Sequence, residues 1–162
     1  MNAAKSIPAL VAELPVFAGL GDAFCEQLAG CARNQFYRKD NMLFRSGEAA
    51  DAFYIIRHGR VSLEHFAPGR GARTFMTVGD GEVLGVSWLI PPYAWNFDAR
   101  ALRDTRVLAF DAICLRQKCD GDPAVGYALM KRLTPILIQR MQAARLQSLD
   151  VSGAPDGAGT AR

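Results

Sequence analysis

Turn signals recur along the middle of this chain, at Lys39-Asp40-Asn41, Ser46-Gly47, His58-Gly59, Pro68-Gly69, Gly79-Asp80-Gly81 and Arg103-Asp104. The runs between them are short and rich in Val, Ile, Phe and Tyr, so few of them could hold a helix of ordinary length. Phe53, Ile55 and Val61 alternate with their neighbours as half-buried strands do. From Asn34 to Phe110 this spacing predicts about eight strands, in an all-β sandwich or jelly roll. Ala67 to Ala72, with its glycines and arginines, reads as a solvated hairpin tip.

Both flanks have a different period. Residues 6 to 32 read as helical, with Ile7, Leu10, Val11 and Leu14 at helical spacing and Pro15 as a stop. Asp22 is the expected N-cap of a second helix carrying Phe24, Leu28 and Ala29. From Asp111 to about Leu149 the chain is again helical. Asp122-Pro123 marks a start there, with a cap followed by proline at the first helical position. Met130, Leu133, Leu137, Met141 and Ala144 form one apolar stripe, and Ile136, Ala143 and Leu146 a neighbouring one. A small barrel cannot cover both, so one is expected on the barrel and the other on a second copy of the chain. Pro135 is expected to kink this helix. The expected fold class is therefore α+β: an eight-stranded β jelly roll flanked by N-terminal helices and a long C-terminal helix. Residues 1–13 form a helical lead, 14–150 the domain, and 151–162 a disordered tail of Gly, Ala, Pro and polar residues.

The 162 residues fit one domain, and 50% hydrophobic residues suffice for one core. The net charge of +3 is small and the basic residues are scattered, which argues against a nucleic-acid footprint. Cys25, Cys31, Cys114 and Cys119 lack CxxC spacing and read as reduced cysteines of a cytoplasmic protein. Four thiolates meeting at an iron–sulfur cluster is the less favoured alternative, because the spacing is unlike cluster runs. Pro8, Glu13 and Pro15 interrupt anything resembling a signal peptide, and no run approaches the ~18 residues of a membrane span. His58 and His65 have no partners at metal-ligand spacing and read as surface or satisfied histidines. No nucleophile–base pair, paired carboxylates or P-loop is present, so no catalytic residue, metal or cofactor is expected.

The stretch most suggestive of a site is Gly79 to Ala101. It opens on glycines, continues through residues long enough for a helical turn, is broken by Pro91-Pro92, and alternates from Trp95 onward. Trp95, Phe97, Ala99 and Ala101 are expected on one face, and Asn96, Asp98 and Arg100 on the other, Arg100 pairing with Asp98. Backbone amides at the start of the helical turn would suit an anion or a carbonyl oxygen. Ser87 and Asn96 could add polar contacts. Trp88, Tyr93, Trp95 and Phe97 either line an apolar pocket or fill it as core.

The order of elements resembles that of the cyclic-nucleotide-binding domain, and so do two motifs. Gly47 to Val61 is similar to the family's G-E-x-x-D-x-x-Y-x-I-x-x-G-x-V segment, and Gly79 to Leu84 resembles the entry to its phosphate-binding cassette. Within the family the chain looks most like the sensor half of catabolite-activator and fumarate-nitrate-regulator proteins. It stops near Leu149-Asp150-Val151, where those proteins enter a helix-turn-helix domain. The resemblance implies a ligand site at Leu84, Gly85, Val86, Ser87, Trp95 and Asn96. It also exposes departures. Nucleotide-binding members have a glutamate for the ribose where Val86 stands, and an arginine for the phosphate where Trp95 stands. Losing one partner of a buried phosphate charge costs on the order of 2–5 kcal/mol. Tight binding of cyclic AMP or cyclic GMP is therefore not expected, unless a shifted loop lets Arg100 supply the cation.

The resulting expectation is a non-enzymatic regulatory module that senses a small molecule other than these nucleotides and signals through its C-terminal helix. It is expected to be a homodimer through that helix, and neither to bind DNA alone nor to enter a membrane. Two alternatives stay open: an adaptor or dimerisation protein with a filled pocket, and the sensor part of a transcription regulator whose DNA-binding part is on another chain.

Overall fold

Residues 4–152 are described by the structure, a computed structural model. The strands are β1 (Ala32–Tyr37), β2 (Met42–Phe44), β3 (Ala52–His58), β4 (Val61–Ala67), β5 (Gly71–Val78), β6 (Val83–Leu84), β7 (Asp98–Ala101) and β8 (Thr105–Asp111). They make two antiparallel four-stranded sheets, in the orders β1-β8-β3-β6 and β2-β7-β4-β5. This is the expected jelly roll, within an α+β chain. Phe53, Ile55, Leu63, Leu84, Leu108 and Phe110 are among its fully buried side chains.

One expected pattern is corrected inside the roll. Strand β3 is not half-buried: every residue from Ala52 to Ile56 is buried. Tyr54 packs on Phe44, and on the other face Phe53 packs on Trp88 and Phe110, with Phe17 beyond. A strand covered on both sides loses its polar alternation. The β3–β4 turn needs Gly59, whose φ is +138°. A Cβ there would come within 2.7 Å of the Thr105 backbone.

The N-terminal helical region is shorter and more broken than residues 6–32 suggested. It consists of α1 (Ile7–Ala12), a 3-10 turn (Pro15–Phe17) and α2 (Asp22–Ala29), and Ala32 already belongs to β1. The Ser6 hydroxyl accepts from the Ala9 N–H and caps α1. Asp22 is not the N-cap of α2. Gly21 is, and Asp22 is the first helical residue, where its charge still favours the helix N-terminus.

After β8, Asp111 caps α3 (Ala112–Gly121) by accepting from the Cys114 N–H at 2.8 Å. Asp122 then accepts from the Ala124 N–H, and α4 runs from Pro123 to Ser152 with Pro135 inside it. The expected tail beyond Ser152 lies outside the described residues. The two expected stripes of α4 are redistributed. Val125, Leu129 and Leu133 are buried, Ile136, Arg140 and Ala143 are half-buried, and Met130, Leu137, Ile138, Met141 and Leu146 are exposed.

The cysteine expectation also needs correcting. Cys31 and Cys114 form a disulfide, with Cα atoms 5.8 Å apart, while Cys25 and Cys119 are free. Their sequence separation of 83 hides the contact, and strand register creates it. Ala32 pairs with Phe110, and the Asp111 N–H donates to the Cys31 carbonyl at 2.8 Å, which sets Cys31 beside the first turn of α3. The disulfide excludes a four-thiolate cluster. It also removes the reduced thiols as support for a cytoplasmic location. Among the described residues, no helix is long and apolar enough to cross a membrane.

Candidate functional site

The cassette begins at the turn Gly79-Asp80-Gly81, which is held from outside. The Gly81 N–H donates to the Ile56 carbonyl at 2.7 Å, and the Ile56 N–H donates to the Glu82 carbonyl at 3.0 Å. The Gly59 N–H donates to Asp80 Oδ1 at 2.8 Å, and that hydrogen bond is the main reason the Asp80 carboxyl titrates below its usual range. The chain then passes through β6 and reaches Gly85, whose φ is +65°.

From Val86 to Leu89 there is a single turn, closed by the Leu89 N–H on the Val86 carbonyl, and no helix. The expected helical N-terminus for an anion is therefore absent. Pro91 and Pro92 carry the chain over to Tyr93, Ala94 and Trp95, which dock on the other motif. The Ala50 N–H donates to the Tyr93 carbonyl, the Trp95 N–H to the Glu48 carbonyl and the Gly47 N–H to the Trp95 carbonyl, at 2.7, 2.9 and 2.8 Å. The two stretches that the sequence singles out thus form one unit.

A cavity of about 450 Å³ opens beside this unit. Of the six expected site residues, Gly85, Val86, Ser87 and Asn96 line it, whereas Leu84 and Trp95 do not. Leu84 is core, with no exposed surface. Trp95 is buried and stacks on Phe44, with ring centroids 3.8 Å apart and planes within 9°. Tyr54 and Phe97 flank it further out, and it presses on Gly85, where a Cβ would come 2.5 Å from the indole. Of the two roles open to this indole, pocket lining or core, it takes the second and packs in the roll beside the cavity. The expected alternation also fails before Asp98, because Asn96 and Phe97 both line the cavity and β7 starts only at Asp98.

Arg100 does not reach the cavity and does not pair with Asp98. The β4–β7 register sets Ser62 opposite Arg100 and Glu64 opposite Asp98, so Glu64 is the diagonal neighbour of Arg100. Arg100 Nε lies 3.3 Å from Glu64 Oε1, a buried carboxylate that also accepts from the Ser62 hydroxyl at 2.8 Å. Asp98 accepts from the Ser46 N–H at 2.7 Å.

Sequence reasoning missed the other walls. Leu63, His65, Phe75 and Met76 come from β4 and β5, and Ile136, Leu137 and Arg140 from α4. His65 stacks on Phe75 at 4.5 Å. Arg140 donates to the Val83 carbonyl, next to Leu84 and Gly85. One signal could have found it: Leu133, Ile136, Arg140 and Ala143 follow helical spacing, so Arg140 is a cation set in an apolar stripe. A second arginine ties the cassette to α3. Arg116 Nη1 donates to the Trp88 carbonyl at 2.5 Å, and its guanidinium lies 4.2 Å from the centre of the Tyr93 ring.

Two facing sheets, a glycine cassette interrupting them and a helix closing the cassette define a class of ligand-binding jelly roll. The chain belongs to the cyclic nucleotide-binding domain family, which it matches over residues 34–122. It is 26% identical over 136 residues to the cyclic AMP receptor protein of Thermus thermophilus, covering 82% of this chain and 60% of that one. It is also 26% identical over 148 residues to an uncharacterized NTE family protein of Mycobacterium tuberculosis, covering 91% of this chain and 25% of that one. The chain therefore spans only part of either relative. Among solved structures, a cyclic nucleotide-binding domain from Methylobacillus flagellatus superposes with a TM-score of 0.76 at 20% identity, over 93% of this chain and 85% of that one. The catabolite activator protein of Thermus thermophilus superposes with a TM-score of 0.68 at 24% identity, over 85% and 63%. At these identities the superpositions establish the fold alone.

Proposed function

We propose that this domain is a regulatory sensor that binds a small molecule other than ordinary cyclic AMP or cyclic GMP and reports it through α4. The observation that carries this reading is a shared cavity. Residues of the cassette and Ile136, Leu137 and Arg140 of α4 wall the same space, so an occupant would touch both at once. A ligand that favours one placement of α4 over another shifts that equilibrium by its difference in affinity. The role proposed is regulatory and not catalytic, in keeping with the family.

The chemistry of the wall argues against a cyclic nucleotide. Val86 cannot accept a hydrogen bond from a ribose hydroxyl, and Trp95 is turned into the roll. Arg100 is engaged by Glu64 on the outside of its sheet. The cyclic AMP receptor relative makes that nucleotide the competing candidate, and calorimetry decides between them. Neither cyclic AMP nor cyclic GMP is expected to bind with a micromolar or tighter dissociation constant, and a measured value in that range overturns the reading. The open cavity also speaks against a pocket filled by its own side chains.

The exposed residues Met130, Leu137, Ile138 and Met141 on α4 support a homodimer through this helix, because an apolar face of this extent is seldom left in water. Multi-angle light scattering is expected to give twice the chain mass at micromolar concentration, and a monomer there refutes the dimer. With its small net charge the domain is not expected to bind DNA by itself.

A further inference from the structure

Resting on the reading of the cassette cavity as a ligand site, we propose that its ligand is an apolar monoanion, an acyl or aryl carboxylate. Its carboxylate meets Arg140, and its hydrocarbon body lies along Phe75, Ile90, Pro91 and Phe97. The wall is mostly hydrocarbon, and no Asp or Glu is part of it. Its polar groups are the neutral Ser87 and Asn96, His65, and the Arg140 guanidinium. A volume of about 450 Å³ is in the range of sites for small organic ligands.

Arg140 is the group that asks for an anion. It is half-buried, and among the described residues its hydrogen bond goes to a neutral acceptor, the Val83 carbonyl. No carboxylate of the described residues lies within ion-pair distance of it. Glu82 is the acid whose field it feels, but Glu82 lines a neighbouring groove that Arg140 also borders, is no part of this cavity's wall, and accepts from the Gly79 N–H at 2.5 Å. Burial weighs against the charged form of Arg140, yet a guanidinium stays charged and keeps five donors to satisfy. A buried charge is costly unless paired, and a carboxylate matches the guanidinium fork in two parallel hydrogen bonds. One guanidinium accounts for one negative charge, and a second charge on the ligand would be left against hydrocarbon. An amine would be repelled. A polyhydroxylated ligand would lay its hydroxyls on Val86, Phe97 and Ile136, which cannot bond them.

Three probes with one tail and different heads test this by calorimetry: octanoate, octan-1-ol and octylamine. Octanoate is expected to bind wild type roughly ten- to a hundredfold more tightly than octan-1-ol, as a hydrogen-bonded charge implies, and octylamine more weakly than either. In Arg140→Gln the octanoate-to-octanol ratio is expected to fall towards one, and Arg140→Lys to keep part of it. Because the ratio is taken within one variant, a general loss of stability does not mimic the effect. Val86→Trp, which fills the cavity, is expected to abolish binding of both probes. Equal affinity for octanoate and octan-1-ol in wild type overturns the monoanion while leaving the ligand site in place. A preference for octanoate that survives Arg140→Gln overturns the assignment to Arg140. Failure of all three probes to bind wild type, with a cyclic nucleotide binding tightly instead, overturns both this inference and the reading it rests on.

Discussion

The stretches Gly47–Val61 and Gly79–Phe97 are hydrogen-bonded to one another, yet the first is spent on the scaffold and the second is divided between scaffold and cavity wall. In the first, the matching residues build the scaffold. Gly47 and Gly59 take up positive φ, Glu48 closes its own turn by accepting from the Arg45 N–H, and Tyr54 and Val61 are buried. In the second, Asp80 holds the entry turn by accepting from the Gly59 N–H, while Val86 lines the cavity and Trp95 lies in the core beside it. A jelly roll needs the first set whatever it binds. Val86, on the wall of the cavity proposed as the ligand site, can change without the sheets changing. Trp95 belongs with the scaffold instead: it is buried, stacked on Phe44 and set against Gly85.

That contrast is sharpest at Trp95, where the largest effect is expected. Trp95→Ala should lower unfolding free energy by about 3–5 kcal/mol, the usual cost of emptying a large aromatic site. Urea titration measures it, and a loss under ~1 kcal/mol would return Trp95 to the ligand side of the comparison. By the same logic, Val86→Glu with Trp95→Arg would damage the fold before it restored a nucleotide site.

The next effect concerns the scaffold alone. The disulfide links residues 83 apart; the chain-entropy account sets its worth at about 4.5 kcal/mol, and since disulfides usually deliver less, its loss should cost about 2–4 kcal/mol. Cys31→Ser and dithiothreitol treatment of wild type are expected to lower the melting temperature by similar amounts. If dithiothreitol leaves the melting temperature unchanged, the scaffold owes nothing to this covalent tie.

The smallest effect lies at Asp80, where the two stretches meet. The Gly59 N–H, more than anything else, holds this carboxyl low; His58 and Arg103 add to it, and burial opposes it. A folded-state pKa below the unfolded value stabilises fully above the ordinary carboxylate range of about 4, and that stabilisation is lost as pH falls through the folded value. Wild type should therefore exceed Asp80→Asn in stability by a small margin at pH 7, and the margin should close in acid. A margin that persists at pH 2 would mean the contact works through shape and not through charge.

Local chemistry determined much of this protein from sequence. The turn residues and short apolar runs call for about eight strands, and the glycine turns at Gly47, Gly59 and Gly81 and the Asp122-Pro123 start of α4 are found in the structure where the sequence puts them. These are effects of a few neighbouring residues, so they are legible in one dimension. That Val86 and Ser87 lie together on the cavity wall was legible for the same reason, because the cassette is contiguous. Other matters were decided only when distant segments met. Strand register joined Cys31 to Cys114 and gave Arg100 to Glu64 instead of Asp98. The packing of Phe44 drew Trp95 out of the cavity. The fold of α4 back onto the cassette brought Arg140 to Val83, 57 residues away in sequence. No local propensity encodes which cation closes a cavity; that depends on which face of a distant helix the core accepts.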